Sequence, residues 1–135
     1  MTETPALKQA DITSLDDPFW IIWRRAKPLL VKALERADEY RMADVLHYVY
    51  TGQWQMWHGE ESVAMTRIAH YPEHTACIII LAAGDLEEIL DLEPGICAWA
   101  SRQGCKYVEI YGRTGWKRAF KDYEAQSLIL RKELP

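Results

Sequence analysis

The sequence predicts an α+β fold with the element order ααβββαβαβ, built on one mixed and mostly antiparallel sheet. Three observations support this fold class. Apolar residues recur at helical spacing through residues 18–50, the pattern changes to the strand period near residue 53, and a continuous apolar run at residues 76–83 indicates a strand covered on both faces. The succession of strand, helix and strand within residues 76–111 predicts one parallel βαβ crossover.

The composition is typical of one folded domain without an excess of positive charge. The chain has 135 residues, 49% of them hydrophobic and 27% charged, and its formal net charge is −4. This charge gives no support for general or sequence-specific binding to nucleic acid. Residues 101–135 hold eight basic and four acidic side chains, whereas residues 1–100 hold eight basic and sixteen acidic ones. We therefore expect an anionic partner to bind near the C-terminal end.

The cysteines favour a reducing compartment, and the N-terminal residues do not have the pattern of a signal peptide. Cys77, Cys97 and Cys105 are odd in number and lack the spacing of a zinc site or a disulfide framework, so no metal site is predicted. The N-terminal residues show no basic region followed by an apolar one, and no run of about 18 apolar residues occurs. The sequence thus predicts neither a signal peptide nor a transmembrane segment.

Residues 1–16 are polar and aperiodic, and we expect them to form an N-terminal arm before a single domain at residues 17–135. Asp16 and Asp17 are expected to cap a first helix, and Pro18 suits its first turn.

A proline interrupts the apolar pattern of this first helix. Pro28 either kinks the helix or begins a second helical piece that continues to Ala37. A second, short helix is predicted at residues 41–50, because apolar residues recur there at 3/4 spacing and Thr51-Gly52 follow as an end signal.

Three strands are predicted next, at residues 53–58, 62–71 and 76–83, and a tight turn joins the first two as a hairpin. Trp54 and Trp57 lie on opposite faces of the first strand. Either both are buried between the sheet and the helices, or one is half-exposed at a partner surface.

The C-terminal third is predicted to alternate between helices and strands. Asp85, with Glu88 three residues later, forms a capping box for a helix that Pro94 divides into two pieces and that ends at Gly104. The remaining elements are a strand at residues 106–111, a short basic helix at residues 116–123 and a last strand at residues 127–134.

Several short phrases in this framework resemble a known superfamily. They are Gln55-Met56-Trp57, Gly84-Asp85-Leu86, Glu93-Pro94 and the run Val108-Glu109-Ile110-Tyr111-Gly112-Arg113-Thr114-Gly115-Trp116. With the element order, they resemble the GNAT superfamily of N-acetyltransferases, and more narrowly the small GNAT-like proteins encoded by tailed bacteriophages and prophages. The resemblance spans residues 17–134 and implies a GNAT fold.

The resemblance also locates the place of a cofactor. In the superfamily, a turn with several glycines presents backbone N–H groups to the pyrophosphate of acetyl-coenzyme A at a helix N-terminus. This sequence has Ala83, Gly84, Asp85 and Leu86 there, with one glycine and an aspartate that can accept bonds from the same N–H groups. Residues 85–93 include five acidic side chains and no basic one, which opposes a polyanionic ligand. We therefore expect a degenerate cofactor site and no bound cofactor, with acetyl-coenzyme A as the cofactor if the protein is active.

The resemblance implies one catalytic residue. The superfamily usually places a tyrosine general acid on the short helix after the second parallel strand, and Tyr123 stands near the end of that helix here. The other interpretation of Tyr123 is a packed or surface tyrosine.

A basic group near the C-terminal end is the candidate partner-binding surface. Its members are Arg113, Trp116, Lys117, Arg118 and Lys121. Trp and Arg supply many interface hot spots, and a basic rim speeds docking on acidic partners. The alternatives are a solvated basic face and a Trp116 that belongs to the core. Trp20 and Trp23 share one helix face and are either core or interface residues.

The first functional hypothesis is a phage-encoded, non-enzymatic GNAT-like protein that acts as a virion-associated, assembly or structural module. Its partners would be other phage or virion proteins, and it would form an oligomer within an assembly. It would be located in the virion or in the host cytoplasm. One alternative is an active N-acetyltransferase that transfers acetyl from acetyl-coenzyme A to an amine. Another is a small host-directed protein-binding module.

Overall fold

The computed structural model of the protein describes residues 18–112 and 115–135. Within them, four helices and four strands follow the order ααβββαβα. The helices are α1 (Pro18–Leu34), α2 (Met42–Tyr50), α3 (Leu86–Arg102) and α4 (Trp116–Ala119). The strands are β1 (Trp54–His58), β2 (Ser62–His70), β3 (Thr75–Gly84) and β4 (Tyr107–Ile110). The α+β class is confirmed, whereas the predicted arm and the predicted caps Asp16 and Asp17 lie outside the described residues.

The four strands form one sheet in the order β1-β2-β3-β4. β2 is antiparallel to both β1 and β3, and β4 is parallel to β3. Because α3 connects the two parallel strands, the predicted βαβ crossover is confirmed. In the β2/β3 ladder Ser62 pairs with Gly84, so the β1–β2 turn lies at the same end of the sheet as the start of α3.

Helices cover both faces of this sheet and divide the core in two. On one face, α1 and α2 pack on β1, β2 and β3 through buried side chains that include Phe19, Leu30, Met56, Met65 and Ile78. On the other face, α3 packs on β1 to β3 through a second buried set that includes Trp57, Cys77, Ile79, Leu92 and Ile96. Trp54 belongs to the first set and Trp57 to the second, so both tryptophans are buried on opposite faces. Trp23 is also buried, and Trp20 is partly buried against the same cluster.

Two helices continue through a proline. α1 contains Pro28 and α3 contains Pro94, so the prediction that Pro94 divides its helix is wrong. A proline in a helix leaves the carbonyl four residues earlier without its donor. Both prolines are exposed, Arg24 is exposed and Leu90 is only partly buried, so water can reach these carbonyls. The apolar residues on the opposite side of each helix pack on the sheet, and this packing stabilises the helix despite the lost hydrogen bond.

The prediction of a final strand is wrong. Residues 127–134 form no strand, and α4 ends at Ala119 instead of continuing to residue 123. The only side chain of the last ten residues with ion pairs in the described structure is that of Arg131, whose guanidinium contacts Asp38 and Glu39 at 3.0 and 2.8 Å. These groups are exposed, so the pairs stabilise the segment little. A run of aliphatic residues predicted a strand here, but a strand also needs a neighbour, which a local pattern does not supply.

No helix among the described residues is long and apolar enough to cross a lipid bilayer.

The buried indole N–H of Trp57 leads to the first prediction. Trp57 Nε1 donates to Thr66 Oγ1 at 3.0 Å, and the Thr66 hydroxyl donates to Gln55 Oε1 at 2.9 Å. Thr66→Val keeps the shape but leaves the indole N–H unpaired, so we expect the free energy of unfolding to fall by about 1–3 kcal/mol in urea denaturation. Thr75→Val is the matched control, since the Thr75 hydroxyl makes only an exposed contact of 3.4 Å with His70. Equal effects of the two variants would contradict this role of Thr66.

Candidate functional site

The N-terminus of α3 is where the resemblance places the pyrophosphate of a cofactor. Gly84 has φ +105°, a conformation that glycine adopts readily, and it turns the chain from β3 into the helix. Asp85 is extended and its side chain accepts a hydrogen bond from the Glu88 N–H at 3.0 Å. The prediction that Asp85 caps this helix is confirmed. One of the free N–H groups at the helix start is thus occupied by the protein itself.

The β1–β2 turn, residues 59–62, covers the same helix end. The Asp85 N–H donates to the Glu61 carbonyl at 2.9 Å. A Cβ on Gly84 would collide with that carbonyl, so the turn lies directly against the start of α3. Two exposed N–H groups, those of Leu86 and Glu87, remain at the helix start next to the Glu87 carboxylate.

Glu88 holds the turn in place. Its Oε1 accepts from the Glu61 N–H at 2.9 Å and from the Ser62 hydroxyl at 2.7 Å. A Cβ on Gly59 would collide with this carboxylate and with the Ser62 hydroxyl, so a larger residue there would displace the side chains that hold the turn. The predicted capping box is therefore only half formed, because Glu88 bonds to the hairpin turn instead of the Asp85 N–H. Sequence reasoning recognised the turn and the helix start but missed their contact, since 26 residues separate Ser62 from Glu88.

A small cavity lies between β3, β4, α3 and α4. Its volume is about 10 Å³, which is room for about one water-sized probe. Apolar side chains form most of its wall, and Glu93 is the one acidic residue. The lining residues are Ala64, Ile79, Ala82, Ile89, Glu93, Ile96, Ile110, Trp116 and Phe120.

Beside the cavity, three polar side chains meet at the middle of α3. The Cys97 thiol donates to Glu93 Oε1 at 2.8 Å, and Cys97 Sγ lies 3.7 Å from the Tyr123 hydroxyl. Burial raises the pKa of Cys97 to about 12, and its bond to Glu93 acts in the same direction. Burial also raises the pKa of Tyr123, together with the neighbouring Cys97.

Both groups are therefore protonated at neutral pH. The raised pKa makes the Tyr123 phenol a weaker proton donor than an ordinary tyrosine, which opposes a role as general acid. A protonated thiol is a poor nucleophile, which argues against covalent catalysis by Cys97. Neither the contact of Tyr123 with Cys97 nor the role of Glu93 has a signal in the sequence.

The predicted partner-binding group is divided by the structure. Lys117 and Arg118 on α4 and Lys121 just after it are exposed. Trp116 is half-buried: its ring contacts Phe120 with 5.6 Å between centroids and fills the space beside Gly112. Trp116 is thus part of the cavity wall, while the cations face solvent. Arg113 lies outside the described residues.

Within residues 18–112 and 115–135, no group of three or more His, Cys, Asp or Glu side chains is arranged to hold a metal ion.

Solved structures with a similar fold include acetyltransferases. An aminoglycoside acetyltransferase from an uncultured soil metagenomic sample, in complex with sisomicin, is similar with a TM-score of 0.62 at 10% identity, over 97% of this chain and 95% of that one. A possible acetyltransferase from Clostridium difficile 630 has a TM-score of 0.56 at 11% identity, over 91% and 95% of the two chains. The fold is that of the GNAT acetyltransferases.

Another solved structure with a similar fold is a tetramutant of the BH1408 protein from Bacillus halodurans. It has a TM-score of 0.59 at 11% identity and covers 96% of this chain and 98% of that one. No protein-family model matches the sequence, and no curated protein matches it. At these sequence identities the similarity establishes the GNAT fold only. The activity has to be inferred from the residues of the site.

The cap at the start of α3 gives the second prediction. Asp85→Ala removes the acceptor of the Glu88 N–H, and we expect the free energy of unfolding to fall by about 1 kcal/mol, measured by thermal denaturation. Asp85→Asn should retain most of the stability, because asparagine is an equally good cap. Asp91→Ala is the control for removing one exposed acidic side chain from the same helix. An unchanged melting temperature in Asp85→Ala would show that this carboxylate does not stabilise the helix start.

Proposed function

We propose that this GNAT-fold protein does not use acetyl-coenzyme A and acts as a non-enzymatic protein-binding module in a phage particle or its assembly. The proposal rests on the N-terminus of α3, where two backbone N–H groups already bond to acceptors of the protein itself. The Glu61 carbonyl accepts the Asp85 N–H, and the Asp85 carboxylate accepts the Glu88 N–H. A pyrophosphate at this position would have to displace both protein acceptors to bind these two donors.

The charge around the helix start supports the same proposal. The carboxylates of Asp85, Glu87 and Glu88 lie on the first turn of α3, and Glu60 and Glu61 belong to the turn that covers it. Each would repel a phosphate, and no basic residue lies within either segment. An anion would therefore gain no cation from either of these two segments.

The small cavity that β3, β4, α3 and α4 enclose is the second support. In the superfamily the two parallel strands diverge, and here the side chains of Trp116 and Phe120 line a cavity of only about 10 Å³ on the α3 side of β3 and β4. A cavity of this size accepts about one water molecule, whereas an acetyl-pantetheine arm is many times larger. Binding the arm would require both aromatic side chains to move and the apolar packing around them to open.

The phage assignment rests on the resemblance of the phrases at residues 84–86 and 108–116 to small phage GNAT-like proteins. A module of this kind acts through a surface, and the exposed Lys117, Arg118 and Lys121 offer a basic one. Their charge fits an acidic protein partner.

The second candidate function is an active N-acetyltransferase, and a specific observation favours it. Tyr123, the tyrosine that the resemblance makes the general acid, packs against Phe120 of the cavity wall, with 5.6 Å between the ring centroids. Acetyltransferases also share the fold. This function requires the β1–β2 turn to leave the start of α3 when the cofactor binds.

The third prediction separates these two functions. We expect calorimetric titration with acetyl-coenzyme A to give no dissociation constant at or below about 10 μM, which would correspond to ~7 kcal/mol of binding free energy. An active GNAT acetyltransferase titrated in the same buffer is the positive control. Binding in the low micromolar range would overturn the non-enzymatic proposal. Tyr123→Phe should then abolish most acetyl transfer without weakening cofactor binding, since it removes only the acidic hydroxyl.

The fourth prediction concerns the basic surface. Lys117→Glu with Arg118→Glu reverses two exposed charges, so we expect an unchanged fold but a loss of incorporation into particles, or of capture of virion proteins in pull-down. Lys27→Glu with Lys32→Glu on α1 is a matched control with the same change of charge elsewhere on the surface. Normal incorporation of the folded α4 variant would exclude this surface. Capture of host proteins instead of virion proteins would favour the host-directed binding module.

A further inference from the structure

A cluster of aromatic side chains is exposed at the β2–β3 turn, residues 71–74, and on β4. Tyr71, Tyr107 and Tyr111 are 43%, 47% and 48% exposed. The His74 ring joins two of them, with 5.3 Å between its centroid and that of Tyr71 and 5.0 Å to that of Tyr107. Lys106 Nζ lies over the Tyr107 ring, 5.4 Å from its centroid. Rings exposed together, unlike rings exposed singly, mark a binding surface. We call Tyr71, His74, Tyr107 and Tyr111 the tyrosine cluster.

The strand register explains why these rings are uncovered. Tyr107 pairs with Ala76, and Ala76 pairs with Ala69, so the three share one face of the sheet. Ala69 belongs to the core under α1 and α2, and the described residues of that core include no side chain of β4. The Tyr111 N–H donates to the Ile79 carbonyl and continues the ladder, so Tyr111 faces the same side as Tyr107. The helices therefore cover β1 to β3 on this face and leave the tyrosines of β4 in solvent.

Charged side chains of both signs border the rings. Arg67 pairs with Ile78 and Ile78 with Glu109, so Arg67 and Glu109 lie in one line across the same face, and both are half-buried. With Lys106 and Glu73, they give the surface two cations and two anions. A surface with this balance has no strong field to attract a polyanion or a polycation.

This combination fits the chemistry of an uncharged carbohydrate. A sugar ring presents C–H groups on its face and hydroxyl groups around its rim. The C–H groups pack on the electron-rich face of an aromatic ring, and the hydroxyls form charge-assisted hydrogen bonds with carboxylate and guanidinium groups. Burial, together with a hydrogen bond to Tyr71, raises the pKa of Tyr111, so this phenol keeps its proton at neutral pH.

Two other ligands that bind exposed aromatic rings fit less well. A single-stranded nucleic acid stacks its bases on such rings, but Glu73 and Glu109 would repel its phosphates. A proline-rich peptide docks between aromatic rings, but its proline side chains cannot hydrogen-bond to Arg67 or Glu109.

We propose that the tyrosine cluster binds a neutral oligosaccharide, with sugar rings packed on the tyrosines and hydroxyls bonded to Arg67 and Glu109. Tyr107 and Tyr111 are four residues apart on an extended segment, roughly 13 Å, which is long enough for more than one sugar ring. The β2–β3 turn lies at the end of the sheet opposite the start of α3, because β2 and β3 pair along their whole length. The inference therefore does not depend on the proposed function.

The test is an NMR titration of the intact chain with maltohexaose, cellohexaose and chitohexaose, which present α-linked glucose, β-linked glucose and β-linked N-acetylglucosamine. We expect at least one of them to bind with a dissociation constant of about 0.1–1 mM, because the surface is shallow. The shifted amides should be those of residues 67, 71–74 and 106–111. Raising sodium chloride from about 50 to 500 mM should leave this constant unchanged, since the ligand carries no charge.

Variants separate ring stacking from other contacts. Tyr71→Ala with Tyr107→Ala should weaken binding at least roughly tenfold, and the fold should persist because both rings are exposed, which circular dichroism checks. Tyr107→Phe keeps the ring and should bind nearly as well as the unchanged chain. Ile21→Ala, at a position of α1 that is 51% exposed, is the matched control and should have no effect.

Oligothymidine and decaproline, titrated in the same way, represent the other two ligands. Tighter binding of either one than of all three saccharides would overturn the proposal. So would the absence of shifts with each saccharide up to about 5 mM, or saccharide binding that the double alanine variant leaves intact.

Discussion

The structure depends on one strand that must be covered on both faces. β3 carries Ile78 and Ile80 towards α1 and Cys77 and Ile79 towards α3, and nearly all of these side chains are out of contact with water. Burying apolar surface is the dominant favourable term in folding, so β3 requires helices on both of its faces. The crossover helix α3 covers one face, and α1 and α2 cover the other.

The same geometry brings the β1–β2 turn to the start of α3. Because β2 pairs with β3 along its whole length, Ser62 lies opposite Gly84, and the turn that precedes Ser62 reaches the helix that follows Gly84. Glu88 fixes this contact through two hydrogen bonds to the turn. The hydrogen-bond donors of a helix start are either satisfied by the protein or available to a ligand, and in this chain two of them are satisfied by the protein.

In the proposed function, stability and cofactor binding conflict at the start of α3. The contacts that join Asp85, Glu61 and Glu88 stabilise the folded chain and occupy donors that a phosphate would need. Trp116 and Phe120 likewise pack around a cavity of about 10 Å³. In this proposal, the exposed side chains of Lys117, Arg118 and Lys121 are the surface that contacts other chains.

Local sequence patterns predicted the helices and strands up to residue 111, the crossover and the cap at Asp85, because periodicity and capping depend on residues that are close in the chain. The other features follow from contacts between distant residues. Pro28 and Pro94 stay within continuous helices because packing on the opposite side outweighs one lost hydrogen bond. Glu88 bonds to the hairpin and Tyr123 meets Cys97 because the sheet brings together residues 26 positions apart. Residues 127–134 have a strand pattern without a strand, since pairing requires a neighbouring edge, and no local pattern contains one.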